Sequence, residues 1–207
     1  MSKAASSRRL IIATRNHGKL LEIRTLLGHI PWSLVTLDQF ENVGEAEENE
    51  SKYVGNAISK AKFYASATGE IVMADDSGLE VTALAGAPGV LSARYAGSNA
   101  TDEVRRVKLL SELKAVGSSD RSARFVCAAV MANPEGEVLQ VAEGICEGSI
   151  CFAERGKSGF GYDPIFEPDG YRQTFGELSE EVKNSISHRA RALQKMRQFL
   201  IGKIRLA

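Results

Sequence analysis

In "RLIIATRNHGKLLEIRTLL", Arg9 to Leu27, the hydrophobic pattern changes period partway along. Arg9 to Thr14, built on the apolar run Leu10 to Ala13, has the length of a buried strand, and Leu20, Ile23 and Leu27 then recur at helical spacing, so a strand feeds directly into a helix. This is a βα unit. The helix opens on two cations, His17 and Lys19, although a first helical turn exposes unpaired N–H groups and carries roughly half a positive charge. A bound anion at that end reconciles the two: Thr14 or Asn16 caps the helix, Gly18 lets a ligand approach the backbone, and Lys19 supplies a point charge.

Outward from this unit, "WSLVTL" (Trp32 to Leu37) reads as a second strand, and the acidic loop "ENVGEAEENE" (Glu41 to Glu50) leads into a helix from about Ser51 to Thr68. "EIVMADDSGLEV" (Glu70 to Val81) is an apolar strand expected to end in a turn of carboxylates and glycine, with the loop "GAPGVLSARYAG" behind it. Thr101 opens a helix to about Val116. Arg121 to Ile150 reads as two strands joined by a tight turn at "NPEG". After the loop "ERGKSGFGYDPIF", Ser179 caps a short helix with Glu180 and Glu181 in its first turn. Ser187 starts a last helix striped by Leu193, Met196, Leu200 and Ile204. Helices alternating with apolar strands, plus one hairpin, give an α/β fold with a mixed sheet. A single domain over residues 1–207 is expected, with residues 1–8 as a flexible tail.

Composition limits the function. The 207 residues are 43% apolar and 25% charged, and lysine plus arginine equal aspartate plus glutamate at 26 each. No overall basic field favours nucleic acid, so any positive patch is local. Cys127, Cys146 and Cys151 fit neither a zinc site nor a disulfide framework. The N-terminal "MSKAASSRR" lacks the apolar run of a secretory signal, and no stretch reaches membrane-spanning length. The expected location is cytoplasmic, with no membrane partner.

The chemistry lies in the turns. A P-loop is excluded: "GKS" at Gly156 to Ser158 would need glycine where Cys151 stands, and "TRNHGK" lacks the leading glycine and the hydroxyl after lysine. The last helix repeats the first one's puzzle, with His188, Arg189 and Arg191 behind the Ser187 cap; either a solvated cluster or a second anion contact accounts for them. "ADDSG" sets Asp75 and Asp76 at the carboxyl end of a strand, where open α/β sheets bind ligands. They form an Asx turn, or they diverge around a ligand and hold Mg²⁺ beside phosphate. Glu47 or Glu48 can add a further ligand. Lys52, Asn56 and Lys60 share one helical face, from which Lys60 can reach a phosphate. In "SGFGYDP", Phe160 or Tyr162 either stacks on a heterocyclic base, with Asp163 accepting a hydrogen bond, or packs into the core.

Together these residues make the chain resemble the non-canonical purine nucleoside triphosphate pyrophosphatases, also called inosine/xanthosine triphosphate pyrophosphatases. Five blocks agree in order over nearly the whole length: "ATRNHGK", "NAISKA", "ADDSGLEV" with "GAPGVLSARYAG" behind it, "SGFGYDPIF" and "SISHRA". The resemblance implies Mg²⁺-dependent hydrolysis of inosine, deoxyinosine and xanthosine triphosphates between the α- and β-phosphates. It also implies an elongated central mixed sheet with helices on both sides, two lobes around an active-site cleft, and a homodimer.

Carried over by motif, Thr14, Arg15, Asn16, His17, Gly18 and Lys19 bind the triphosphate and Lys60 assists catalysis. Asp76 is the metal ligand and proton acceptor, Glu48 the second metal ligand, and Ser77 a substrate contact. Phe160, Gly161, Tyr162, Asp163, Lys183, His188 and Arg189 fall on the base side. The sequence departs from the family after Glu48: Glu50, Lys52, Tyr53 and Gly55 stand where the family has Gly, Thr, Phe and Glu, while Asn56 and Ala57 are kept. Three rivals fit less well, the nearest being the related pyrophosphatases that act on modified pyrimidine nucleotides, whose N-terminal block differs. An aspartyl-nucleophile phosphatase of the haloacid dehalogenase type spaces its acids at i and i+2, whereas these are adjacent. A non-catalytic nucleotide sensor would not need the carboxylate cluster.

Overall fold

The computed structural model describes residues 8–40 and 43–202. Six strands lie in the order β2-β1-β3-β4-β5-β6, where β1 is Arg8–Ile12, β2 Trp32–Thr36, β3 Val72–Val81, β4 Ser122–Ala132, β5 Val138–Ile150 and β6 Phe166–Pro168. β1 pairs in parallel with β2 and β3, and β5 pairs antiparallel with β6, so the sheet is mixed as expected. The helices are α1 His17–Leu27, α2 Tyr53–Thr68, α3 Asp102–Val116, α4 Glu180–Ile186 and α5 His188–Gly202. No described helix is long and apolar enough to cross a membrane. The three cysteines are free thiols.

The chain divides into two compact units. One comprises the described residues of Met1–Asp76, Ala128–Ala142 and Ala192–Ala207; the other comprises Ser77–Cys127 and Glu143–Arg191. In the first, the apolar run of β1 is fully buried at Leu10, Ile11 and Ile12, and α1 and α5 bury Ile23, Leu27, Leu193, Met196 and Leu200 from their periodic stripes. Trp32 Nε1 donates to Leu200 O (3.2 Å), satisfying a buried indole against the end of α5. In the second, Leu79, Val81, Leu109, Leu113, Phe125, Phe166 and Phe175 anchor the core, with Phe125 and Phe166 packed edge-on at 4.6 Å.

Caps explain most helix starts. Asn16 Oδ1 accepts from Lys19 N (3.0 Å), Thr101 Oγ1 from Val104 N (3.3 Å) and Ser179 Oγ from Val182 N (3.3 Å). α2 is the exception, because Lys52 at its N-cap makes no side-chain cap bond. Lys52 and Gly55 stand where a Thr-x-x-Glu capping box would need Thr and Glu, and Asn56 Oδ1 instead accepts from Glu50 N (3.0 Å) just outside the helix.

Three expectations need correction. β3 does not end at the carboxylates but continues through Asp75, Asp76, Ser77 and Gly78 to Val81, well past Val72 and Met73, where it pairs with β1. The stretch after "SGFGYD" is not all loop: Asp163–Ile165 forms a 3-10 turn and β6 follows, too short for any periodicity to reveal. Arg8, placed in the tail, belongs to β1, while residues 1–7 and Ile204 lie outside the described residues.

Candidate active site

In the first unit, β1 delivers the chain to the start of α1, where Asn16 is the cap and its own N–H donates to Thr14 Oγ1 (3.2 Å). Gly18 lies in the first turn. Lys19 Nζ sits 3.1 Å from Asp75 Oδ2, with the lysine side chain 16% and the aspartate side chain 1% exposed. The cation at this helix start is therefore matched by a buried carboxylate. Arg15 is exposed, donating to Val43 O (3.1 Å) and lying 3.7 Å from Glu45. His17 is exposed and takes no part in the cap.

Because β3 is continuous, successive side chains leave it on opposite faces, and the two aspartates meet different helices. Asp75 meets Lys19 of α1, whereas Asp76 meets α2: Asn56 Nδ2 donates to its Oδ2 (3.0 Å) and Lys60 Nζ lies 3.7 Å from its Oδ1. Lys60 is also 3.3 Å from Glu48, so one ammonium bridges two carboxylates. The helical face carrying Asn56 and Lys60 is buried rather than ordinary surface, and only Lys52 is exposed. Of the two acids left open by the sequence, the structure brings Glu48 to this cluster; Glu47 is exposed and accepts from Asn49 Nδ2 (2.9 Å). Burial pushes the Asp76 carboxyl above the usual carboxylate range, and Glu48 adds to the rise. Lys60, Lys19 and the Asn56 amide pull the other way without cancelling it.

Asn56 is the residue whose role sequence reading missed. It is fully buried, and besides holding Asp76 it donates from Nδ2 to Glu50 O (3.3 Å) and accepts from Glu50 N (3.0 Å). One amide thus ties the acidic loop to Asp76. The available signal was its position one helical turn before Lys60, at the end of an acidic loop.

The second unit gathers the remaining candidates. Arg189 is buried, donates from Nη2 to Ser77 Oγ (2.8 Å) and lies 5.8 Å from the Phe160 ring centre. Lys183 is buried, paired with Asp163, and stands 4.8 Å over Phe160 and 5.6 Å over Phe175. His188 stacks on Phe125 at 4.6 Å with 9° between the planes. The cluster that opens α5 is therefore built into the fold: His188 and Arg189 are buried, and Arg191 donates to Ile145 O (2.6 Å). Asp163 Oδ2 also accepts from Phe160 N (2.8 Å), and a Cβ added at Gly159, where φ is +75°, would lie 2.0 Å from that oxygen. Only glycine lets the loop close around the Asp163 carboxylate. Tyr162 corrects one alternative. It is buried and donates from its hydroxyl to Ser92 O (2.9 Å), so of the two aromatics only the half-buried Phe160 is available to stack on a ligand.

The chain is similar to proteins of one known family over nearly its whole length. The sequence profile of the Ham1 family matches residues 10–199. A dITP/XTP pyrophosphatase of Desulforamulus reducens is 47% identical over 93% of this chain and 95% of its own length. One of Geobacter sulfurreducens is 45% identical over 93% and 96%. Among solved structures, a HAM1 protein from Coxiella burnetii superposes with a TM-score of 0.86 at 42% identity, covering 93% of this chain and 98% of that one.

Proposed function

The chain belongs to the Ham1 family, and on that premise we propose that it hydrolyses inosine, deoxyinosine and xanthosine triphosphates to the monophosphate and pyrophosphate, removing deaminated purines from the nucleotide pool. Two relatives at 47% and 45% identity carry the name dITP/XTP pyrophosphatase, which supports the substrate class. The observation that carries the chemistry is the alternation of charge in the first unit: Lys19 on Asp75, and Lys60 on Asp76 and Glu48. It provides cations for a polyphosphate beside oxygens for a divalent metal.

The donors fit Mg²⁺. Asp76 and Glu48 offer hard carboxylate oxygens with the Lys60 ammonium within 3.7 Å of both, so that position already accommodates a cation. Among the described residues, no group of three or more histidine, cysteine or acidic side chains gathers. Two carboxylates completed by phosphate oxygens and water is the ordinary way this ion is held. When bound, Mg²⁺ neutralises charge on the phosphate oxygens.

The chain's own residues do the rest. The α1 N-terminus and Lys19 hold the polyphosphate, and Lys60 shares in the charge of the departing pyrophosphate. Asp76, held by Asn56 and with its proton affinity raised by burial, orients the water that attacks the α-phosphorus and takes its proton. Ser77 contacts substrate. Little covalent work falls to the protein; positioning and electrostatics carry the rate.

Phe160, Lys183, His188 and Arg189 supply base selection. Hypoxanthine, xanthine and guanine present a 6-oxo acceptor and an N1 donor, while adenine reverses both, and such a mismatch discriminates by up to roughly 10⁴–10⁵. Guanine is refused through its 2-amino group. The enzyme acts in the cytoplasm as a homodimer. The test is pyrophosphate release from inosine, deoxyinosine, xanthosine, guanosine and adenosine triphosphates with and without Mg²⁺. Preference for the first three, lost without the metal, is expected. Equal rates on inosine and guanosine triphosphates, or orthophosphate as the only phosphorus product, would overturn the proposal.

A further inference from the structure

Phe160 and Gly161 are joined by a peptide whose position fixes where the Phe160 ring lies, and two residues with no assigned role grip Gly161. Asp102, the first residue of α3, accepts from Gly161 N–H through Oδ2 (2.8 Å). Arg106, one helical turn on, donates from Nη1 to Gly161 O (2.8 Å). Both backbone polar groups of one glycine are thus held by a single helix face, because i and i+4 side chains emerge on the same side. Gly161 has φ +61° and open space around an added Cβ, so the grip acts on its left-handed conformation rather than filling a gap.

The clamp is itself braced. Arg106 pairs with Glu154, Nη2 to Oε2 2.9 Å. Asp102 pairs with Arg105, which also donates to Ala93 O (2.7 Å) and Ala100 O (2.8 Å). Asp102 stands at the N-terminus of α3, where a carboxylate is favoured, and Thr101 caps that end. On the other side of Phe160, Asp163 accepts from the Phe160 N–H. The loop is therefore pinned at successive peptides, which fixes the backbone that carries the Phe160 ring.

We propose that Asp102 and Arg106 are positioning residues for base recognition: by holding the peptides on either side of Gly161, Asp102 the Phe160–Gly161 N–H and Arg106 the Gly161–Tyr162 carbonyl, they fix the backbone from which the Phe160 ring presents its stacking face to a 6-oxopurine. The clamp sets affinity and selectivity for the base and leaves the polyphosphate site alone. It rests on the proposal that Phe160 stacks on the base.

The experiment compares Asp102→Ala, Asp102→Asn, Arg106→Ala, Arg106→Lys and Phe160→Ala in the full chain. Readouts are kcat and KM for deoxyinosine and deoxyguanosine triphosphates, with inhibition by inorganic tripolyphosphate as a base-free probe. Both alanine variants are expected to raise KM for deoxyinosine triphosphate about tenfold, the size of one charge-assisted hydrogen bond, with kcat within about threefold and tripolyphosphate inhibition unmoved. Preference over the guanine nucleotide narrows, and the Asn and Lys variants recover part of the loss. If Phe160→Ala raises KM but neither alanine variant does, the clamp is idle and the proposal falls. If Phe160→Ala itself leaves KM unchanged, the assignment of Phe160 to the base has failed instead. A parallel loss of kcat, nucleotide affinity and tripolyphosphate affinity would mark general damage to the fold and overturn the positioning role.

Discussion

Replacing Asn56 by leucine tests whether one buried amide holds Asp76 in working position. The side chains are similar in size, so the change removes three hydrogen bonds and leaves little space. The bond to Asp76 is charge-assisted and contributes about 1.5–3 kcal/mol. The two bonds to Glu50 are neutral and, Glu50 being exposed, its backbone rehydrates; each contributes about 0.5–1.5 kcal/mol. The added apolar burial returns about 1–2 kcal/mol. The net loss is about 0.5–5 kcal/mol with a midpoint of about 3 kcal/mol, which for a chain of this length lowers Tm by about 6–12 °C at the midpoint. Calorimetry reads that figure, and steady-state kinetics below the shifted Tm should show kcat reduced about ten- to a hundredfold, as expected for a general base that has lost an orienting bond. A double-mutant cycle with Asp76→Asn isolates the pair, with an expected coupling of about 1.5–3 kcal/mol. An Asn56→Leu protein with unchanged Tm and kcat within about twofold of the parent would refute the idea that this amide holds Asp76.

Other perturbations separate the remaining parts. Lys60→Gln should weaken pyrophosphate binding roughly tenfold by calorimetry while Mg²⁺ alone binds more tightly, because the ammonium no longer competes for Asp76 and Glu48. Lys183→Met breaks a buried ion pair with Asp163 and should cost about 3–5 kcal/mol in urea denaturation. The pH dependence of stability should carry an Asp102 component. Burial raises its carboxyl, but the Gly161 N–H, Arg105 and Arg106 outweigh that and hold it below the usual carboxylate range. A lowered folded value contributes stability above the unfolded pKa and loses it as pH falls through the folded one. Wild type should therefore exceed Asp102→Asn in urea stability at neutral pH, and the gap should close in strong acid.

The elements with clear periodicity or caps were legible in the sequence. The βα unit at Arg9 to Leu27, the Thr101 and Ser179 caps and the hairpin at "NPEG" follow from local rules that hold whatever the tertiary context. β3 was misjudged at its end because Ser and Gly weigh locally as turn residues, while membership of a sheet is a tertiary effect. That misjudgement concealed a simple fact: adjacent aspartates in an unbroken strand serve different helices. The cations at the start of α5 were visible, but not that they are buried. Asn56 and Asp102 were hard to single out because their partners lie far along the chain: Asn56 reaches Asp76, and Asp102 reaches Gly161, through folding alone.

The central proposal is water attack at the α-phosphorus, organised by the Asp76 cluster. Turnover of deoxyinosine triphosphate in ¹⁸O-labelled water with Mg²⁺, followed by mass spectrometry of both products, tests it most directly. The label is expected in the deoxyinosine monophosphate and none in pyrophosphate, with the reaction nearly abolished in Asp76→Asn. Label in the pyrophosphate, or near-wild-type turnover of Asp76→Asn at saturating Mg²⁺, would contradict it.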